Sequence, residues 1–386
     1  MLGWRPEDTR IRNVLSVLHL LLKHETVTRV DLSRMTGLTK TTVSSIVKQM
    51  IDHELVKELP ATHSGNVGKT PIPLSIRSGA VYTLGVHVGR RSVRTVLLDA
   101  KRSILLNGEE LPYERLNQKH VLKTLFHAIE ELLKSAKQRG IEVKAIGVGI
   151  PGPLDVTTGV VKHPPKFRGW NNVALGKMLK ERYERQIWIE NDANVAALAE
   201  KWHGGGQKFD KFMYVLANEG IGAGLVIGGE LYQGAYDYVG ELGHVLFRIR
   251  GRWRYLEDIS GLDCLLKRIR SYGISVTKAS DVASSLHSCK AKSAVREIMQ
   301  LIGVAIVNAI HVVGPEAVFI GGEMAALEKT ILEPVREVVQ KYLFGKQNVE
   351  VHLSQVKGDA VSIGAGIYAA KKYLERKCTE ELVLGK

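Results

Sequence analysis

The chain has 386 residues, 45% of them hydrophobic, with a formal charge of +14 and a mean hydropathy of −0.04. That length holds two or three domains with ample core for each, and no apolar run approaches the roughly 20 residues that span a bilayer. Cys264, Cys289 and Cys378 are too few and too scattered for a disulfide framework or a metal cluster, so a cytoplasmic protein with no membrane partner is expected. The start, Met1 to Asp8, lacks the apolar stretch of a signal peptide. The positive charge suggests a polyanionic partner only weakly, because it is spread out. Residues 1–77 carry 11 Lys and Arg against 7 Asp and Glu.

Residues 10–57 predict three helices. The first has an apolar stripe at Ile11, Val14, Leu15, Leu18, Leu21 and Leu22. Thr28 caps a second, with Asp31 at the capping-box position and Leu32 and Met35 facing inward. Gly37 makes the turn, and Thr39 caps a third whose inner face is Val43, Ile46, Val47 and Met50. Lys40, Thr41, Thr42, Ser44, Ser45 and Lys48 then face outward. Short hydroxyls and cations at the front of an exposed helix suit the DNA major groove, where they reach phosphates and base edges. Leu55 to Glu58 and Pro73 to Ile76 predict a hairpin wing, with Lys69 near its tip placed to probe the minor groove or backbone. The bland alternative is a plain three-helix bundle.

From Tyr82 strands and helices alternate. Strands are expected at 81–89, 92–98, 103–106 and 145–150, with helices at 119–137 and near 363–376. A faint echo between the strand pairs near 84–98 and 213–227 suggests two duplicated lobes. The class is α/β, with Gly-rich turns at the strand ends where ligands bind in such folds.

The densest chemistry is Glu190-Asn191-Asp192-Ala193-Asn194, after the apolar run Ile187-Trp188-Ile189. A carboxylate among amides can grip a polyol's hydroxyls, or act as a base on one of them. Asp192 can equally be the N-cap of an Ala-rich helix over 193–201. His244, between two Gly-flanked acids, is either a ligand group or a satisfied core histidine.

Taken in order, Gly147-Val148-Gly149-Ile150-Pro151-Gly152-Pro153, Gly169-Trp170-Asn171-Asn172, Glu190 to Asn194, Gly222-Ala223-Gly224, Gly240-Glu241-Leu242-Gly243-His244 and Leu256 to Gly261 resemble the ROK family (repressors, open reading frames and sugar kinases). The resemblance covers about residues 80–375 and implies a two-lobed, actin-like and ribonuclease-H-like sugar-kinase fold. With the winged helix-turn-helix in front, it is similar to the ROK members that regulate transcription. It implies sugar-binding roles for Asn171, Asn191, Asp192, Glu241, His244 and Glu257.

Two departures bear on chemistry. ROK kinases carry Asp-x-Gly-Gly-Thr where this chain has His87-Val88-Gly89-Arg90-Arg91, and a hydroxyl residue in the second phosphate loop where it has Glu219. Without those clamps phosphoryl transfer loses its positioning and charge neutralisation, so no catalytic residue and no cofactor are expected. Many ROK proteins also bind zinc through three cysteines following the motif's His. Those positions fall on Arg248, Arg250 and Tyr255, which supply no thiolate, so no metal is expected. Residues 248–255 read as a basic, solvated loop, the alternatives being a site for a phosphate-bearing effector or a subunit contact.

The expected protein is a sugar-responsive transcriptional regulator, a repressor of carbohydrate-utilisation genes. Its partners are operator DNA, a monosaccharide or sugar phosphate, and a second copy of itself in a homodimer or tetramer. Its domains are 1–77, and 78–386 as lobe one (78–190 with 360–386) and lobe two (191–359). The alternatives are an ATP-dependent hexose kinase with a DNA-binding head, and a regulator controlled by a protein rather than a sugar.

Overall fold

The computed structural model describes residues 6–60, 71–167, 169–235, 238–345 and 348–385. The head has helices Pro6–Lys23, Arg29–Thr36 and Lys40–Asp52. Thr28 and Asp31 form the expected capping box, and Gly37 ends the second helix in the left-handed region at φ 73°. Val43, Ile46, Val47 and Met50 are all buried. Met35, expected inward, is 46% exposed. A helix of two turns has a narrow buried stripe, and here Leu32 alone fills it.

The wing strands Val56–Glu58 and Pro73–Ile76 pair antiparallel, and a third strand, Val27–Thr28, joins the other edge of Pro73–Ile76. Sequence pattern missed that strand because two residues show no period. Lys69 and the expected wing tip lie outside the described residues apart from Pro71.

The head does not close its core alone. Val14, Leu18, Leu21, Leu32, Val47 and Met50 share one apolar cluster with Ala370, Leu374, Cys378 and Leu382 from the far end of the chain. Polar links flank it. Arg10 donates to the Leu382 carbonyl at 2.8 Å, His19 lies 2.6 Å from Glu375, and His53 lies 2.9 Å from Glu381.

The body is two lobes with the same sheet plan. In the first, the spatial order is Gln186–Asn191, Ala145–Ile150, Tyr82–Val88, Ser92–Asp99, Ile104–Asn107. In the second it is Glu350–Leu353, Ala317–Gly321, Phe212–Ala217, Ile221–Ile227, Glu230–Leu231. Each lobe opens with an antiparallel pair and adds two parallel strands on the same side of it, which gives the faint sequence echo its structural counterpart. Helix Gln118–Gln138 covers the first sheet through Val121, Leu125 and Ile129.

Helices Asp192–His203 and Ala360–Lys377 pack against each other between the sheets. Their approach is closer than a side chain allows: a Cβ on Gly364 would sit 1.7 Å from the Val195 carbonyl oxygen. The C-terminal helix lies as close on the first sheet, where a Cβ on Gly147 would sit 1.9 Å from the Ala365 carbonyl oxygen.

Two further readings need correction. Residues 248–255 belong to a hairpin, Leu246–Ile249 paired with Arg252–Tyr255, rather than a loop. Its two-residue turn, Arg250-Gly251, has φ 49° and 80°, the positive-φ geometry that matches strand twist. Helix Cys289–Val313 is also long and apolar enough to cross a membrane by length and composition. It is instead a core element of lobe two, with Val295, Ile298, Ile302 and Ile306 fully or almost fully buried.

Candidate functional site

The cleft between the lobes collects the acids and amides of the sequence motifs. Asn191, Asp192, Glu241, His244 and Glu257 all line it, with Gly152, Gly222 and Gly240. Asn171 does not. It is exposed beside Trp170, which is buried against Phe167 and anchors that loop.

The strand Gln186–Asn191 runs directly into helix Asp192–His203, and the cap is Asn191 rather than Asp192. The Asn191 side-chain oxygen accepts the Ala193 N–H at 2.9 Å. Asp192 is therefore the first helical residue and faces the cleft. Glu190 and Asn194 of the motif are structural. Glu190 is buried, accepting from Asn194 at 3.0 Å and Gln233 at 2.5 Å, so the second amide of the motif is spent inside the lobe. Burial pushes the Asp192 carboxyl above its ordinary range, against the opposing pull of the His87 and Arg90 cations and the Ala193 N–H.

Glu241, His244 and Glu257 come from the segment around the basic hairpin. Gly240 holds φ 83°, and its carbonyl accepts the Ala223 N–H at 2.7 Å, which ties this segment to the second sheet. His244 Nδ1 lies 3.0 Å from Glu241, and its ring packs edge-on against Tyr255, 5.2 Å between centroids. Burial raises the Glu241 carboxyl despite the nearby imidazole. Glu257 is 8% exposed in the first turn of helix Leu256–Ser260, so the hairpin is rooted at both ends in cleft residues. Arg248, Arg250 and Tyr255 offer a metal no thiolate, and the residues present do not fit a zinc site.

The far end of the cleft is where the two antiparallel pairs turn, residues 89–91 in one lobe and 218–220 in the other. His87 is buried, its Nδ1 3.0 Å from Asp359, which also caps the C-terminal helix through the Ser362 N–H. Burial works against the imidazolium, but Asp359, helped by Asp192, raises His87 above its ordinary value. Asp359 is held well below the carboxylate range, the His87 and Arg94 cations outweighing its burial.

Arg91 bridges to Glu219 across the cleft and donates to the Thr277 carbonyl at 2.9 Å. Lys166 donates to the Glu219 carbonyl at 3.1 Å. An ion pair thus spans the space between the turns. Asp359 and the pairing roles of Arg91 and Arg94 were not singled out from sequence. The sequence signals were three arginines within residues 90–94 and the capping pattern Asp359-x-x-Ser362.

On the head, the expected outward face holds. Lys40, Thr41, Ser44, Ser45 and Lys48 are exposed and Thr42 is half-buried. The Thr39 hydroxyl accepts the Thr42 N–H at 3.2 Å and lies 2.8 Å from the Thr41 hydroxyl.

Comparison with known proteins agrees with this geometry. The ROK family model matches residues 83–372, three quarters of the chain, and a MarR family model matches residues 11–65. The chain belongs to the ROK family. It is 26% identical to a xylose repressor of Caldicellulosiruptor bescii over 377 residues, covering 91% of this chain and 94% of that one. Among solved structures, a ROK family transcriptional regulator described as a homologue of the Escherichia coli MLC protein superposes with a TM-score of 0.80 at 21% identity, over 98% of this chain and 100% of that one. A ROK glucokinase from Streptomyces griseus gives 0.65 at 21% identity over 75% of this chain and 99% of its own. The two structural likenesses establish the fold, a winged head on a two-lobed body.

Proposed function

We propose that this protein is a sugar-responsive transcriptional repressor of carbohydrate-utilisation genes, working in the cytoplasm as a dimer on a palindromic operator. The observation that carries the reading is the convergence of Asn191, Asp192, Glu241, His244 and Glu257 on one interlobe cleft, in a chain whose head exposes a hydroxyl- and lysine-bearing helix. Each carboxylate accepts two hydroxyl hydrogen bonds and each amide both donates and accepts, which suits a polyol. Asn171 joins the sugar from its exposed loop as the lobes close. Thr39, Lys40, Thr41, Thr42, Ser44, Ser45 and Lys48 meet DNA, with Lys69 beside them. The xylose repressor relative supports both halves of this reading.

Closure reaches DNA through the head's contacts with both lobes. The head shares a core with the C-terminal helix, which lies on the first sheet, while Lys23 lies 3.6 Å from Asp210 of the second lobe. A sugar that binds the closed arrangement more tightly shifts the population toward it and moves the heads apart or together. The kinase reading lacks support at the phosphate turns, where Arg91 and Glu219 occupy each other, and we assign no enzymatic activity.

The test is fluorescence anisotropy on DNA selected by the purified protein, titrated with xylose, glucose and N-acetylglucosamine and their phosphates. One of them should weaken DNA binding, and Asp192→Asn should abolish the response while leaving DNA affinity intact. A protein indifferent to the whole panel is not a sugar sensor. ADP release with any hexose would restore the kinase reading.

A further inference from the structure

At the end of helix Asp192–His203 away from the cleft, the head and both lobes meet around Arg102. Arg102 belongs to lobe one, in the turn between strands Ser92–Asp99 and Ile104–Asn107. Its guanidinium donates to the Leu22 carbonyl of the head at 2.6 Å and stacks on Trp202, its central carbon 3.8 Å from the ring centroid. Trp202 is in the last turn of helix Asp192–His203, which packs on the second sheet so closely that a Cβ on Gly224 would sit 2.4 Å from the Ala193 carbonyl oxygen. A single cation therefore touches three bodies. The Leu22 carbonyl is among the last four of helix Pro6–Lys23, which lack a partner within the helix and favour a cation. Burial pushes the guanidinium down to about 10, with Asp99 pulling the other way, so it stays charged at neutral pH. The Arg102 backbone is held at φ 69°, a left-handed conformation unfavourable for a residue with a side chain. Asp99 fixes the turn, its carbonyl accepting the Arg102 N–H and its carboxylate the Ser103 N–H, both at 2.8 Å. Beside this stack, Lys23 of the head and Lys201 of the helix flank Asp210 of lobe two at 3.6 and 3.8 Å.

The helix meets the C-terminal helix backbone to backbone at Val195 and Gly364. The C-terminal helix moves with lobe one and carries the head on its far end. The contact is thus a pivot between the lobes, with Asp192 about 4.5 Å along the helix on one side and Trp202 about 10 Å along it on the other. When the lobes close, parts of lobe two on the cleft side of the pivot approach lobe one. Parts on its far side, Trp202 and Asp210 among them, recede. Cavities of about 100 and 540 Å³ are each lined by both Arg102 and Trp202, so the pair has room to part.

We propose that Arg102 is the positioning residue through which lobe closure reaches the DNA-binding head. The proposal rests on the reading of the cleft as a sugar site. In the open arrangement Trp202 backs the guanidinium against the Leu22 carbonyl, and the end of the head's first helix is fixed. Closure withdraws Trp202, and with it Asp210 from Lys23. Arg102 then loses its stack, the helix end loses its cap, and the heads lose the fixed spacing that an operator requires.

The test measures operator affinity of the full chain by anisotropy, without sugar and with saturating xylose, glucose, N-acetylglucosamine or their phosphates. The ratio of the two affinities is the coupling, typically roughly 5- to 150-fold in allosteric proteins. Arg102→Met should bring the ratio within about twofold of one, by lowering the sugar-free affinity to that of the sugar-bound wild type. Calorimetry without DNA should show the sugar binding that variant as tightly as wild type or more so. Trp202→Leu should do the same, and Trp202→Phe, which keeps an aromatic face, should restore most of the ratio. A merely structural Arg102 would lower both operator affinities alike and leave the ratio unchanged, which overturns the proposal and leaves the sugar reading intact. If no sugar changes operator binding by wild type, the sugar reading itself fails. Hydrogen exchange on wild type decides the matter if a variant does not fold. The active sugar should speed exchange in the last turn of helix Pro6–Lys23, and unchanged exchange there overturns the proposal.

Discussion

Replacing Leu374 by Ala should loosen the DNA-binding head from the body without touching either binding surface. Leu374 is fully buried on the C-terminal helix, inside the cluster that contains Val14, Leu18, Leu21 and Met50 of the head. Truncating a buried leucine forfeits about 1.5–3 kcal/mol of transfer energy, and about 2–5 kcal/mol once the cavity is included. Remaining polar links include the His19–Glu375, His53–Glu381 and Lys23–Asp210 pairs, the Arg10 bond to the Leu382 carbonyl and the Arg102 bond to the Leu22 carbonyl. Each contributes on the order of 1 kcal/mol or less, so they do not absorb the loss. At about 1.4 kcal/mol per tenfold, even the lower bound raises the undocked population roughly 30-fold. Hydrogen exchange should show faster exchange across helix Pro6–Lys23, operator affinity should fall, and effector affinity should be kept. Leu374→Met, which conserves volume, should cost less than about 1.5 kcal/mol. Unchanged head exchange in Leu374→Ala would refute the idea that the two ends of the chain form one core.

Other predictions are more local. Gly240→Ala places a Cβ 1.7 Å from the Ala223 carbonyl at φ 83°, so it should cost about 1–3 kcal/mol in strain alone and weaken effector binding in a titration by misplacing Glu241. Lys48→Ala should weaken DNA binding almost equally across sequences and reduce the salt slope by about one; a base-specific loss would contradict a phosphate role. The His87–Asp359 pair makes stability pH-dependent. With His87 raised, its contribution is full below the unfolded histidine value near 6.5 and is lost as pH rises through the folded value. With Asp359 lowered, its contribution is present above about pH 4 and is lost as pH falls through the folded value. The melting-temperature gap between wild type and His87→Gln should therefore be widest between about pH 4 and 6.5 and shrink on going alkaline; a gap that stays flat from pH 5 to 9 counts against the pairing.

Local pattern was enough for much of the molecule. The inner face Val43, Ile46, Val47 and Met50, the Thr28–Asp31 capping box and the Gly37 turn follow from helical period and capping chemistry, which act within a few residues. The motif acids Asp192, Glu241 and Glu257, named through the family resemblance, do come together on one cleft. Met35, the strand Val27–Thr28 and the hairpin at 246–255 were not legible, because burial and pairing at such short elements are set by neighbours rather than by their own period.

Sequence by itself determined the longer helices and strands and which residue types stand ready for sugar and DNA. Tertiary structure alone decided their partners: that Asn191 rather than Asp192 caps the helix, that Glu219 pairs with Arg91 some 128 positions away, and that Leu374 completes the head. Capping preference and periodicity are energies of adjacent residues. Charge matching and core closure are energies of residues that meet only when the lobes and both chain ends come together.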